Sequence, residues 1–241
     1  MEVTSGRRPL IVNCGSGATF GKSWRRAGRA TPSHSTMGIE GLSSSRLGMA
    51  GRVNGKYAEL LVDAPRDIAF QRDEVDGGTR LAINHDGYVQ SHGLTHTRIL
   101  HLGYDGRSLR GEDALAALDP QAKKRFDLAF DKSRLKGIPF ALRFHLHPDV
   151  DATLDMNGTA VSMALKSGEI WILRYRGDAT MSLEQSVYLE KSRLSPRATK
   201  QVVLSGTAME YSTRVSWSLA KAQETPSAVR DYAMDGIMAA N

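Results

Sequence analysis

Phe140-Ala-Leu-Arg-Phe-His-Leu-His147 alternates with a period of two. Leu142, Phe144 and Leu146 fall on one side of an extended chain, and Arg143, His145 and His147 on the other. Such alternation marks a strand with one face in a core and one face toward water. Downstream, Ala152 to Met156 and Thr159 to Lys166 flank Asn157-Gly158, a pair that supplies the positive φ of a tight hairpin. Ser167-Gly168 then leads into Glu169-Ile-Trp-Ile-Leu-Arg-Tyr-Arg176, with Trp171 expected in the core. The stretch from Pro139 to Arg176 reads as a three-strand meander followed by more strands, among them Gln201 to Leu204 and Tyr211 to Leu219.

Working outward, the same signals recur. Asn54-Gly55, Asp76-Gly77-Gly78, Asp86-Gly87 and Asp105-Gly106 punctuate further alternating runs, notably Arg80 to Asn84 and Thr95 to Tyr104. Helix is scarce. Asp119-Pro120 can cap and open one, with Phe126 and Phe130 one turn apart, so a short helical insertion is expected near 119–132. The tail after Pro226 is expected to add a second short helix or to fray. The fold class is therefore all-β, an antiparallel sandwich or double sheet, with residues 1–241 as a single domain.

Composition narrows the function classes. The chain has 241 residues, one cysteine and a formal charge of +6. One cysteine forbids an intrachain disulfide and any cysteine-based zinc site. No apolar run approaches the ~20 residues that span a bilayer. The apolar stretch after Arg7-Arg8 is too short for a secretory signal, which suggests either a cytoplasmic protein or a piece of a longer chain. There is no G-x-S-x-G elbow, no Walker A loop and no H-E-x-x-H.

The polar candidates are few. Lys22, Arg25, Arg26 and Arg29 form the densest basic cluster, just before His34. Arginine forks suit carboxylate and sulfate oxygens, and a histidine among them can shuttle a proton; a solvated loop is the plainer reading. His145 and His147 share a strand face roughly 6–7 Å apart. Three roles are open to them: polar residues on a wet face, ligands of one metal ion, or anion binding beside Arg143. Their spacing to Asp151 and Gly158 is also similar to a cupin metal motif, a distant alternative that lacks its downstream half. His85, Tyr88 and His96 cluster around Asp86-Gly87, with structural roles as the alternative to ligand contact.

Several segments taken in order carry a family resemblance. They are Leu10 to Gly15, Trp24 to Thr36 with Ser43-Ser-Ser45, and His85-Asp-Gly-Tyr88 through His96-Thr-Arg98. Leu109 to Asp113, Arg143-Phe-His-Leu-His-Pro-Asp-Val150, Gly168 to Trp171 and Glu184 to Tyr188 complete the set. Together they resemble the C-terminal β-sandwich region of the heparinase II/III-like family. The resemblance implies the large antiparallel double sheet, or supersandwich, of polysaccharide lyases. It implies β-elimination on uronic-acid polysaccharides, with an acidic polysaccharide as partner and neither nucleic acid nor membrane. It also implies a preceding helical toroid that supplies a catalytic tyrosine. No such helical region is present in this sequence, so the isolated chain is expected to lack a complete active site, and a bacterial, periplasmic setting follows from the resemblance alone.

Carried over residue by residue, the resemblance makes His34 the catalytic residue, contacting the substrate carboxylate. Only His34 matches the H-x-H-x-D-like pattern of relatives; the second histidine and the acid are missing. Arg26 and Arg29 become anion binders, and His85, Tyr88 and His96 substrate contacts. His147, with His145 second, is the candidate ligand of a single divalent ion, zinc or calcium. A non-catalytic carbohydrate- or polyanion-binding module is the alternative function.

Overall fold

The structure is a computed structural model that describes residues 1–223. The tail after Pro226, for which a helix was one expectation, lies outside them. In chain order the strands begin with β1 (Val3–Ser5) and β2 (Arg8–Val12), followed by the short helix α1 (Lys22–Ala27). Then come β3 (Met37–Ile39), β4 (Arg46–Val53), β5 (Lys56–Asp63), β6 (Ile68–Val75) and β7 (Gly78–Tyr88), the turn of helix α2 (Val89–His92), β8 (Leu94–Gly103) and β9 (Ser108–Ala116). After helix α3 (Pro120–Lys132) come β10 (Ile138–Leu146), β11 (Val150–Asp155), β12 (Ala160–Leu165), β13 (Ile170–Arg176), β14 (Thr180–Tyr188), β15 (Arg197–Ala208) and β16 (Ser212–Gln223).

Two antiparallel sheets face each other. One has the order β1-β2-β10-β15-β14, with β3 also paired to β10; the other runs β11-β12-β13-β16-β9-β8-β7-β6; β4 and β5 form a separate hairpin. The core lies between the sheets, and Leu142, Phe144 and Leu146 are fully buried there as their alternation predicts. Phe144 of one sheet meets Trp217 of the other edge-on, with ring centroids 4.9 Å apart. Trp171 is likewise in the core.

Three local expectations need amendment. The meander β11-β12-β13 is real, but β10 belongs to the opposite sheet. The chain changes sheets at His147-Pro148-Asp149, where proline has no N–H to continue a ladder and Val150 N–H closes a turn onto the His147 carbonyl at 2.9 Å. Asp86-Gly87 is not a hairpin turn. It is an irregularity inside β7, between the pairs His85↔His96 and Tyr88↔Leu94. There Gly87 lets the backbone of Ser44 approach, since a Cβ would lie 2.8 Å from the Ser44 oxygen. The actual reversal is α2, ended by Gly93 at φ 68°, against which the Ala122 carbonyl of α3 packs. Finally, β10 is covered on both faces: His145, expected toward water, is 3% exposed.

The helical insertion forms as its cap predicts. The Asp119 carboxylate accepts the Ala122 N–H at 2.8 Å, Pro120 opens the first turn, and Phe126 stacks on Phe130 and meets Tyr211 edge-on. Among the described residues no helix is long and apolar enough to cross a membrane.

Candidate functional site

His34 sits on a strap between α1 and β3. Thr31-Pro32-Ser33 form a single 3-10 turn, and His34 is extended at φ −119° and ψ 148°. Neighbouring side chains in an extended chain point to opposite sides, and Ser35 points inward with no exposure. Its hydroxyl donates to the Val12 carbonyl at 2.6 Å and accepts the His145 N–H at 2.9 Å. Its N–H donates to Asn13 Oδ1, and its carbonyl accepts from Arg98 Nη1, both at 2.9 Å. The strap is thus bolted to both sheets from behind, and His34 is held half-buried on the other side. Burial lowers the His34 pKa, so the imidazole is neutral at pH 7.

Behind the strap lies a buried polar cluster on the core face of the eight-stranded sheet. The register sets His85, His96 and Leu115 in one row and Arg98 beside Asp113 in the next. One oxygen of Asp113 accepts from Arg98 Nε and from His96 Nε2, each at 2.8 Å; the other accepts from Trp217 Nε1 at 2.9 Å. Burial alone would raise this carboxyl. The Arg98 charge, then the His96 and Trp217 bonds, outweigh it and hold the pKa at about 2.

The bonds also set the histidine tautomers. Gly87 N–H donates to His85 Nδ1 at 3.2 Å, so His85 carries its proton on Nε2 and donates to His96 Nδ1 at 3.1 Å. His96 then donates from Nε2 to Asp113. Every ring nitrogen in this relay has a partner. Burial, with His96 adding, depresses the His85 pKa to about 4.

The expected ligand contacts fare differently. His85 is partly accessible, but His96 is 4% and Tyr88 0% exposed. A polymer in solution does not reach those two in this structure; they are packing residues. Arg26 and Arg29, expected as anion binders, are tied to the β4–β5 hairpin. Arg26 pairs with Glu59 at 2.7 Å and donates to the Gly48 and Leu47 carbonyls, while Arg29 donates to the Glu59 carbonyl.

His145 and His147 do not make a metal site in this arrangement. His145 Nε2 donates to the Pro32 carbonyl at 2.9 Å, which leaves Nδ1 to accept the Ser186 hydroxyl at 2.8 Å, with Cys14 Sγ at 3.4 Å. Both its nitrogens are in use. His147 Nδ1 accepts the Asp149 N–H at 3.2 Å, and its ring packs against Tyr188. Among the described residues no group of three or more histidine, cysteine or acidic side chains converges on one point.

Burial of neutral His145 has a pH consequence. Burial depresses its pKa to about 4 against about 6.5 in an unfolded chain. The stability this confers is therefore present above pH 6.5 and is lost as pH falls toward 4. Acidification from pH 7 to 5 is expected to cost about 2 kcal/mol through this residue. Urea titrations at both pH values check it, and His145→Gln should flatten the difference by that amount. An undiminished difference would show that other groups carry the acid sensitivity.

One surface escaped the motif reading. A groove of about 690 Å³ crosses the outer face of the eight-stranded sheet, lined among others by Arg80, His101, Arg110, Arg174 and Arg176. These residues are scattered over the sequence, and only strand register aligns them. The one signal available earlier was that each sits on the polar alternation of its own strand.

The double sheet places the chain among the antiparallel β-sandwich domains. It belongs to the heparinase II/III-like family, as the C-terminal domain, matched over residues 1–218. The fold is similar to heparinase III, with a TM-score of 0.64 and 12% identity over 91% of this chain and 29% of that one. It is also similar to the heparan sulfate lyase HepC of Pedobacter heparinus, with a TM-score of 0.62 and 10% identity over 94% of this chain and 30% of that one. A curated relative, FtsZ-localized protein C of Caulobacter vibrioides, is 31% identical over 227 residues, 92% of this chain. The chain spans 36% of that relative's length.

Proposed function

We propose that this chain forms the sandwich part of a protein that cleaves uronic-acid-containing polysaccharide by β-elimination, with His34 as the base. The observation that carries this reading is the state of His34: half-buried, fixed from behind through Ser35, and kept neutral by burial. A neutral, positioned imidazole can accept a proton. The proton leaves the carbon next to the uronate carboxylate and passes to His34. A carbon–carbon double bond forms at that carbon, and the bond to the 4-linked oxygen breaks. The departing oxygen takes its proton from a donor that the family resemblance implies is a tyrosine of the helical domain. The sandwich fold shared with heparinase III and a heparan sulfate lyase supports the substrate class, and the 29–30% of those chains that it covers leaves room for such a domain.

The test is His34→Ala in the longest natural protein that contains this chain. Ultraviolet absorbance of unsaturated uronate product should fall by about 100-fold or more, with the fold intact by circular dichroism. An unchanged rate would remove His34 from the mechanism.

A second reading is a binding module without catalysis. It is favoured by the packing roles of His96, Tyr88, Arg26 and Arg29, and by a relative whose name refers to where it localizes. Saturable binding of acidic glycan by the longest natural protein with no unsaturated product would select it.

A further inference from the structure

The outer face of the eight-stranded sheet carries a cationic row that the strap site does not use. The pairs Arg80↔His101, His101↔Arg110, Arg110↔Ser218 and Ser218↔Arg174 place five polar residues side by side across β7, β8, β9, β16 and β13. The adjacent row, Ile99↔Glu112, Glu112↔Ser216 and Ser216↔Arg176, adds a fourth arginine. With strands about 4.8 Å apart, the first row spans about 19 Å. All of these residues line one groove.

The charges in this groove are available to a ligand. Arg110, Arg174 and Arg176 are exposed, and Arg110 and Arg176 have no carboxylate partner among the described residues. Among the described residues Arg174 has only a long contact to Met156 Sδ at 3.9 Å. Arg80 is paired with Asp73 at the groove's end. The one acid lining the groove, Glu112, is itself faced by Arg214 at 3.6 Å and the Ser216 hydroxyl. Three arginines without a carboxylate partner among the described residues, Arg110, Arg174 and Arg176, against one countered glutamate make a strip that attracts anions.

We propose that this groove is a second, non-catalytic binding surface for a linear acidic glycan, anchored by Arg110 and Arg174. The ligand class rests on the acidic-polysaccharide reading above; the surface does not. Arg80, Arg110 and Arg174 stand on alternate strands, so their charges recur about every 10 Å. That spacing is far wider than the ~3.4 Å rise between phosphates along a duplex strand. The two large aromatic rings of the groove are engaged elsewhere, which disfavours the base stacking that single-stranded nucleic acid uses. The Trp217 ring is buried and bound to Asp113, and the Tyr175 hydroxyl donates to the Ala179 carbonyl. Flanking Ser216, Ser218 and Thr159 hydroxyls suit sugar hydroxyls.

The test is calorimetric titration of the chain with a heparin-derived hexasaccharide. Arg110→Ala with Arg174→Ala should weaken binding by about tenfold or more and lower the salt dependence. Both side chains are exposed, so the melting temperature should hold. Lysine at both positions should retain most of the affinity, and Arg72→Ala, an exposed arginine on β6 outside the groove lining, should leave it unchanged. Wild-type affinity in the double alanine variant, no binding by the wild type, or an equal loss of binding in Arg72→Ala would each overturn the proposal. So would displacement of the hexasaccharide by a single-stranded oligonucleotide at a much lower concentration of charge. Cleavage by the longest natural protein that contains this chain is read separately, so failure of either idea leaves the other standing.

Discussion

Asp113→Ala is expected to destabilise the fold by about 3–5 kcal/mol. Asp113 has no exposure and neutralises Arg98, which is itself buried. Removing the carboxylate leaves an uncompensated cation in the core. It also takes the acceptor from His96 Nε2–H and Trp217 Nε1–H. The effect reaches further than the cluster, because Arg98 also donates to the Ser35 carbonyl that braces the His34 strap. Urea denaturation at pH 7 measures the loss, and a cost below about 1 kcal/mol would show that the cluster is not the anchor described. Adding Arg98→Leu to Asp113→Ala should recover part of the stability, since removing both charges avoids the buried unpaired one. Recovery stays partial because the two donors on His96 and Trp217 remain without their acceptor.

Phe144→Ala is expected to cost about 3–5 kcal/mol. Phe144 is fully buried in the middle of β10 and meets Trp217 across the gap between the sheets. Truncation removes apolar burial and leaves a cavity that two rigid sheets fill poorly. Phe70→Ala is the control. That ring, on the outermost strand β6, is 78% exposed, and its loss should change stability by no more than about 0.5 kcal/mol. Comparable losses at the two positions would contradict the assignment of the core to the inter-sheet space.

The two predictions probe different degrees of legibility. Phe144 was readable in advance, because period-two alternation maps directly onto the two faces of a strand. Asp113 was not, since a lone aspartate on a strand usually faces water and its partners come from two other strands, β8 and β16. The histidines illustrate the same limit. Alternation sent His145 toward water, yet the segment from Cys14 to Pro32 covers that side of β10, with the Pro32 carbonyl taking Nε2 and Ser186 of β14 taking Nδ1. Asp86-Gly87 misled for a related reason. The pair carries turn chemistry, but here glycine serves a close approach to Ser44 within a continuing strand.

Local chemistry in the chain determined the strands, most of their turns, the α3 cap and the family, because each rests on neighbours within a few residues. Backbone preference and side-chain period act at that range. Tertiary structure alone decided which polar groups meet. The register of β7, β8, β9, β16 and β13 gathers Arg80, His101, Arg110 and Arg174 into one groove, and the same strands turn Asp113, Arg98, His85 and His96 inward on the opposite face. Pairing between distant strands is a collective outcome of burying one face of each sheet, so the alignment of charges across it has no local signature to read.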